Sequence, residues 1–135
     1  MIDIEHIMKD AGLVAADAAG TVDGSAKIVD LGAGMVEGHM VVDVAALEIA
    51  SNDEAYRISL QGSSKSDFSD TIEELASVEL GAAEVLGGDQ DSETGRYQVP
   101  FRTEKNGTVW PYVRVYTEVV GTIATGINFS AYLTK

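Results

Sequence analysis

The sequence predicts a single-domain, all-β protein: an antiparallel β-sandwich of the jelly-roll kind with a short N-terminal arm. Three observations carry this. From Lys27 onward, short strand patterns follow one another, separated by clusters of Gly, Asn, Asp and Ser. No stretch keeps apolar residues at helical spacing beyond about a turn or two. The clearest strands alternate apolar and polar residues, so each has one face to hide, and two sheets packed face to face hide both.

In order along the chain, residues 1–12 read as a terminal arm of one or two helical turns, because Ile4, Ile7 and Met8 recur at helical spacing and Gly12 ends the pattern. The body of the domain is then 13–135. Residues 13–26 are rich in Ala, Gly and Asp, with a weak strand around Leu13–Ala16. Ile28–Leu31 is a short strand ending at Gly32-Ala33-Gly34, and Met40–Ile49 is a long apolar one interrupted by Asp43 and Glu48. Ala55–Gln61 alternates well, with Tyr56, Ile58 and Leu60 on one face.

A polar stretch follows, in which Ser69 or Asp70 is placed to cap a single helical turn and Phe68 to plug the loop onto the core. Ala76, Val78 and Leu80 form the next strand face, and 87–95 is a loop. Tyr97–Phe101 is short, and Pro100 suits an edge strand because it cannot donate to a ladder. Asn106-Gly107 is a hairpin turn, since both residues tolerate positive φ. After it, Val113 and Val115 point to the core, while Trp110, Tyr112, Arg114 and Tyr116 share the other parity. Ile123, Thr125, Ile127, Phe129, Ala131 and Leu133 share one face to the C-terminus, with a bend or bulge expected at Gly126.

Composition narrows function. At 135 residues the chain is one domain. It has no cysteine, which excludes disulfides, thiolate zinc sites and a cysteine nucleophile. Twenty-two acids face nine bases, for a net charge of −13. Such a surface repels nucleic acid and anionic membrane. No apolar run approaches the roughly 20 residues that span a bilayer, and no signal peptide is read, so cytoplasmic synthesis is expected.

No catalytic constellation emerges. His6 and His39 stand apart, no Gly-x-Ser-x-Gly elbow exists, and Gly32-Ala33-Gly34 lacks the third glycine and helix of a dinucleotide fingerprint. The chain is therefore not expected to be an enzyme or to carry a cofactor. Asp89, Asp91 and Glu93 form a weak calcium candidate: alternate carboxylates in a loop, but without the glycine position of an EF-hand. The best interaction candidates are Trp110, Tyr112, Arg114 and Tyr116, residue types enriched where interfaces lose water. Ile4, Ile7 and Met8 of the arm join them as apolar residues in need of cover.

Taken in order, several landmarks resemble a family. They are Ile28-Val29-Asp30-Leu31-Gly32, the strand Tyr56-Arg57-Ile58-Ser59-Leu60-Gln61-Gly62-Ser63, and the polar loop with Phe68. Arg96-Tyr97-Gln98-Val99-Pro100-Phe101, Tyr112-Val113-Arg114-Val115-Tyr116, the turn at Val120-Gly121 and a Gly-containing final strand complete the set. Over roughly residues 14–133 the chain resembles the small jelly-roll cement (decoration) proteins of short-tailed bacteriophages and their relatives. The resemblance implies a homotrimer on the outer surface of an icosahedral shell, bridging neighbouring major capsid subunits against the pressure of packaged DNA. Its location would be the virion and its partner the major capsid protein, without nucleic acid or membrane. The alternative from a different class is a carbohydrate-binding module with Trp110 and Tyr112 as the stacking platform.

Overall fold

The computed structural model describes residues 6–134. It is nearly all β, with 58% strand and 4% helix. Strand β1 (Ile7–Val14) is followed by four short pieces, β2 (Ala18–Ala19), β3 (Thr21–Val22), β4 (Ser25–Ala26) and β5 (Val29–Asp30). Then come β6 (Glu37–Leu47), β7 (Ala55–Ser63), β8 (Ile72–Gly81), the single-turn helix α1 (Ala83–Leu86) and β9 (Gly95–Arg102). The hairpin β10 (Glu104–Lys105) and β11 (Thr108–Val109), then β12 (Tyr112–Val120) and β13 (Ile127–Thr134), complete the chain.

One sheet runs β1-β13-β6-β9; the other runs β2-β12-β7-β8, with β5 also paired to β12. β2 and β5 thus act as one interrupted strand, which leaves eight principal strands. Numbered by position in the chain, the first sheet is first-eighth-third-sixth and the second is second-seventh-fourth-fifth. This interleaving is the jelly-roll arrangement of two wound Greek keys. All principal pairings are antiparallel.

The core lies between the sheets, and the period-two alternation sets it. Tyr56, Ile58 and Leu60 of β7 are fully buried, as are Val113 and Val115 of β12. Met40 and Val42 of β6 and Ile127 and Phe129 of β13 meet them from the other sheet. Pro100 sits on β9, an edge strand, where a missing donor breaks no ladder. Asn106 and Gly107 form the β10–β11 turn with φ of 54° and 85°.

Four expectations need correction. Residues 7–12 are not a helical arm: Ile7–Val14 pairs with β13, Gly12 lies inside the strand, and Ile4 falls outside the described residues. Two register shifts, between Ile7 and Lys9 and between Lys9 and Gly12, interrupt the alternation there and leave apolar residues at apparent helical spacing. Secondly, no helical turn forms at Ser69–Asp70; the Asp67 and Asp70 carboxylates accept the amides of Ser69 and Thr71 in local turns before β8. A helical turn forms instead at α1, in the loop from 82 to 94. Thirdly, Phe68 is buried and anchors its loop as expected, but against Arg114 on a sheet's outer face and outside the main cluster between the sheets. Fourthly, Ile123 and Thr125 lie in the 121–126 loop ahead of β13, because Gly126 turns the chain at φ 92°.

The second of the β1 bulges also places a lysine inside. Lys9 is 6% exposed. Its Nζ donates to the carbonyls of Asp10, Gly12 and Phe129 at 2.9, 3.1 and 2.7 Å and sits 4.3 Å from the centre of the Phe129 ring. The ammonium thus satisfies carbonyls at the broken ladder. Desolvation by burial holds its pKa below the ordinary lysine value, with Asp10 opposing.

Candidate interaction surface

The outer face of the β2-β12-β7-β8 sheet carries the aromatic stripe. Cross-strand register places Tyr112, Ser63 and Ile72 in one row, then Arg114, Gln61 and Glu74, then Tyr116, Ser59 and Ser77. The next row is Glu118, Arg57 and Glu79. Tyr112, Arg114 and Tyr116 are half-buried and share a side because residues two apart on a strand do.

Arg114 is the centre of this face. Its Nε donates to Gln61 Oε1 at 2.8 Å. Its guanidinium lies 4.3 Å from the centre of the Phe68 ring and 5.2 Å from that of Tyr116. Phe68 has a φ of 55°, a strained conformation for a bulky residue, and is 7% exposed. The 64–71 loop thus folds back over the sheet's outer face and seats Phe68 against Arg114. Desolvation lowers the Arg114 pKa from its usual value, with Tyr116 opposing; the group stays charged at any ordinary pH.

Trp110 does not belong to the stripe. It precedes β12, and its backbone N–H donates to the Thr103 carbonyl at 2.8 Å. A Cβ built on Gly62 would stand 2.8 Å from Trp110 Cβ and 2.9 Å from Leu75 Cδ1, so Trp110 packs over a strand position that only glycine leaves open. Its indole Nε1 is buried without a partner among the described residues. Met8 is likewise no surface candidate, being completely buried in the core of its own chain. Ile7 is half-buried on the edge strand β1.

Charge is distributed unevenly. The loops 15–17, 48–54, 82–94 and 121–126 gather at one end of the sandwich and hold eight acids and no Lys or Arg. Five of these acids hold backbone. Glu48 Oε1 accepts the amides of Ala124, Thr125 and Gly126 at 2.9, 2.9 and 3.0 Å. Asp53 accepts from the Thr122 amide and hydroxyl at 3.0 and 2.7 Å. The buried Glu54 accepts the amides of Ser51 and Asp53, Asp17 that of Val119, and Asp91 that of Ala83. The backbone bonds hold the Glu48 and Asp53 carboxyls below the usual carboxylate range. Burial pushes the Tyr56 phenol up to about 12, and the nearby charges of Glu48 and Glu54 add to this.

The remaining three acids of this end, Glu84, Asp89 and Glu93, make no such bond among the described residues. Asp91 is committed to the start of α1, and among the described residues no three His, Asp or Glu side chains gather as a metal site. The calcium candidate Asp89, Asp91 and Glu93 is therefore not assembled. Two histidines in the sequence also form no such group.

The opposite end is nearly neutral. Its 31–36 loop carries no charge, and the loops 64–71 and 103–111 hold three acids and two bases. Here Thr103 joins the segments: its N–H donates to the Val36 carbonyl at 2.9 Å and its Oγ1 accepts the Val36 amide at 2.8 Å. Between the edges of β8 and β9 an open groove of about 690 Å³ is floored by Leu75, Pro100 and Phe101 and rimmed by His39, Arg102 and Lys105, among others.

Nothing in the sequence marked the carboxylate clasps or the Phe68–Arg114 stack, because their partners are far apart in the chain. No protein-family model matches the sequence, and no curated protein matches it.

Proposed function

We propose that this chain is a capsid cement (decoration) protein that acts as a trimer on the outside of a phage shell and bridges major capsid subunits. The observation that carries the reading is the outer face of β12. On a chain with a net charge of −13, this face presents tyrosines and a stacked arginine and pairs Arg57 with Glu74 and Glu79. Such a face suits contact with another protein. The jelly-roll strand order agrees with the family that the sequence landmarks resemble. Many modest contacts, one set per subunit, would clamp a shell together by multivalency. No enzymatic step is part of this reading.

The carbohydrate-binding alternative needs an exposed aromatic platform. Trp110 and Tyr112 are both only half-exposed, the Trp110 indole N–H is buried, and no specific observation favours this reading over the first.

The test is the mass in solution by light scattering, followed by sedimentation with mature shells of the phage that encodes the chain. The expected results are about three times 14.3 kDa and saturable binding to shells. Absence of shell binding by a correctly folded protein would overturn the reading.

A further inference from the structure

Among the described residues, three arginines face carboxylates: Arg57 meets Glu74 and Glu79, Arg96 meets Asp43, and Arg102 lies 3.6 Å from Glu104. Arg114 faces none. Its stem is fixed by Gln61, its plane by Phe68 and Tyr116, and its terminal nitrogens have no acceptor among the described residues. They are not among the buried unsatisfied atoms, so they remain open to an outside group. With more than twice as many acids as bases in the chain, an arginine held in place without a carboxylate is a receptor awaiting one.

The same molecule carries the complementary surface. Its base-free end exposes Glu84, Asp89 and Glu93, whose carboxylates hold nothing in their own fold. We propose that Arg114 receives a carboxylate from this acidic end of a second copy, so that the loop end of one subunit docks on the β12 face of the next. Receptor and ligand lie on different surfaces of one chain, which makes the contact heterologous, and a heterologous contact whose rotation closes gives a ring, as a trimer requires. The inference rests on the trimer reading above and specifies its contact. The planar fork of an arginine, already stacked, loses little freedom on pairing, the property of a binding hot spot.

The experiment is sedimentation equilibrium of the full chain, with three variants: Arg114→Glu, the loop triple Glu84→Lys/Asp89→Lys/Glu93→Lys, and their combination. Each charge reversal alone is expected to weaken self-association by about 100-fold or more, and the combination to restore much of the loss. Raising salt should weaken the wild-type assembly. Arg114 also holds Phe68, so an Arg114 variant that has lost its β-sheet circular dichroism is set aside. The loop triple, whose side chains hold nothing in the fold, then decides alone.

If both single-site variants keep the wild-type trimer, the contact is wrong while the cement reading survives. A wild type that stays monomeric overturns the contact as well. If Arg114→Glu keeps the trimer and loses only shell binding, the arginine meets the shell protein and the second copy is the wrong occupant.

Discussion

At the end of the sandwich where the 48–54 and 121–126 loops meet, side-chain carboxylates hold the backbone. At the opposite end, the junction around Thr103 is held backbone to backbone with one hydroxyl assisting, and carboxylates serve only local turns, Asp30 on Gly32, Asp67 on Ser69, Asp70 on Thr71 and Glu104 on Gly107. Both ends face the same problem. Each connecting loop leaves amides and carbonyls without ladder partners, and unpaired buried groups are costly. One end solves it with Glu48, Asp53, Glu54, Asp17 and Asp91, of which Glu48, Asp53 and Asp17 reach segments far along the chain; the other uses carboxylates only within single turns. The acidity of the chain is thus only partly a solubility coat: several acids are structural acceptors that must remain ionised to do their work. The comparison also separates two kinds of sensitivity: the clasp on the 121–126 loop depends on the ionised Glu48 and Asp53, the Thr103 junction holds no titrating group, and Asp67, whose carboxyl is likewise held low by Ser69, acts only within its own turn.

The largest expected effect falls on the carboxylate-held end. Gly126 has a φ of 92°, and a Cβ there would stand 2.1 Å from the Val14 carbonyl oxygen. Gly126→Ala combines a disfavoured conformation with a backbone clash that no side-chain rotation relieves. A loss of roughly 3–5 kcal/mol is expected in chemical denaturation. A change below about 1 kcal/mol would mean that the 121–126 loop moves freely away from β1, and that this end is not the rigid clasp described.

A paired comparison sharpens the contrast. Glu54 is fully buried and accepts two amides, so Glu54→Ala leaves two donors unsatisfied and opens a void; the expected cost is roughly 3 kcal/mol. Thr103→Val keeps shape and removes one acceptor from the Val36 amide, for about 1–2 kcal/mol. Equal costs would contradict the claim that side-chain acceptors carry more of the first end than of the Thr103 junction.

How much of this was legible in the sequence follows from the range of each signal. Alternation is local, so the inward faces of Tyr56, Ile58 and Leu60 and of Val113 and Val115 could be read directly, and with them the sandwich. The Asn106-Gly107 turn is equally local. At β1 the local signal misleads, because two bulges break the alternation from Ile7 through Gly12 and leave no period of two to read there. Tyr112, Arg114 and Tyr116 were identifiable as residue types on one face. Their real setting was not, since Phe68 arrives over Arg114 from a loop 46 positions earlier through a positive φ that bulky residues seldom adopt. Glu48 looked like an interruption in an apolar strand; its role depends on amides 76 to 78 positions away.

The smallest and most discriminating effect is a pH dependence of the 121–126 clasp that the Thr103 junction does not share. The folded-state pKa values of Glu48 and Asp53 lie below the ordinary carboxylate range. Their contribution is therefore complete at neutral pH and is lost as pH falls beneath the ordinary carboxylate range and through those lowered values. A protonated Glu48 is a poorer acceptor for three amides, so the 121–126 loop should loosen first. Hydrogen-exchange protection factors of the Ala124, Thr125 and Gly126 amides should fall in acid, while those of Val36 and Trp110 at the opposite end hold. In Glu48→Ala the three amides should be poorly protected already at neutral pH and should change little on acidification. Protection that declined in step at both ends would indicate global acid unfolding, and the clasp would then have no independent existence.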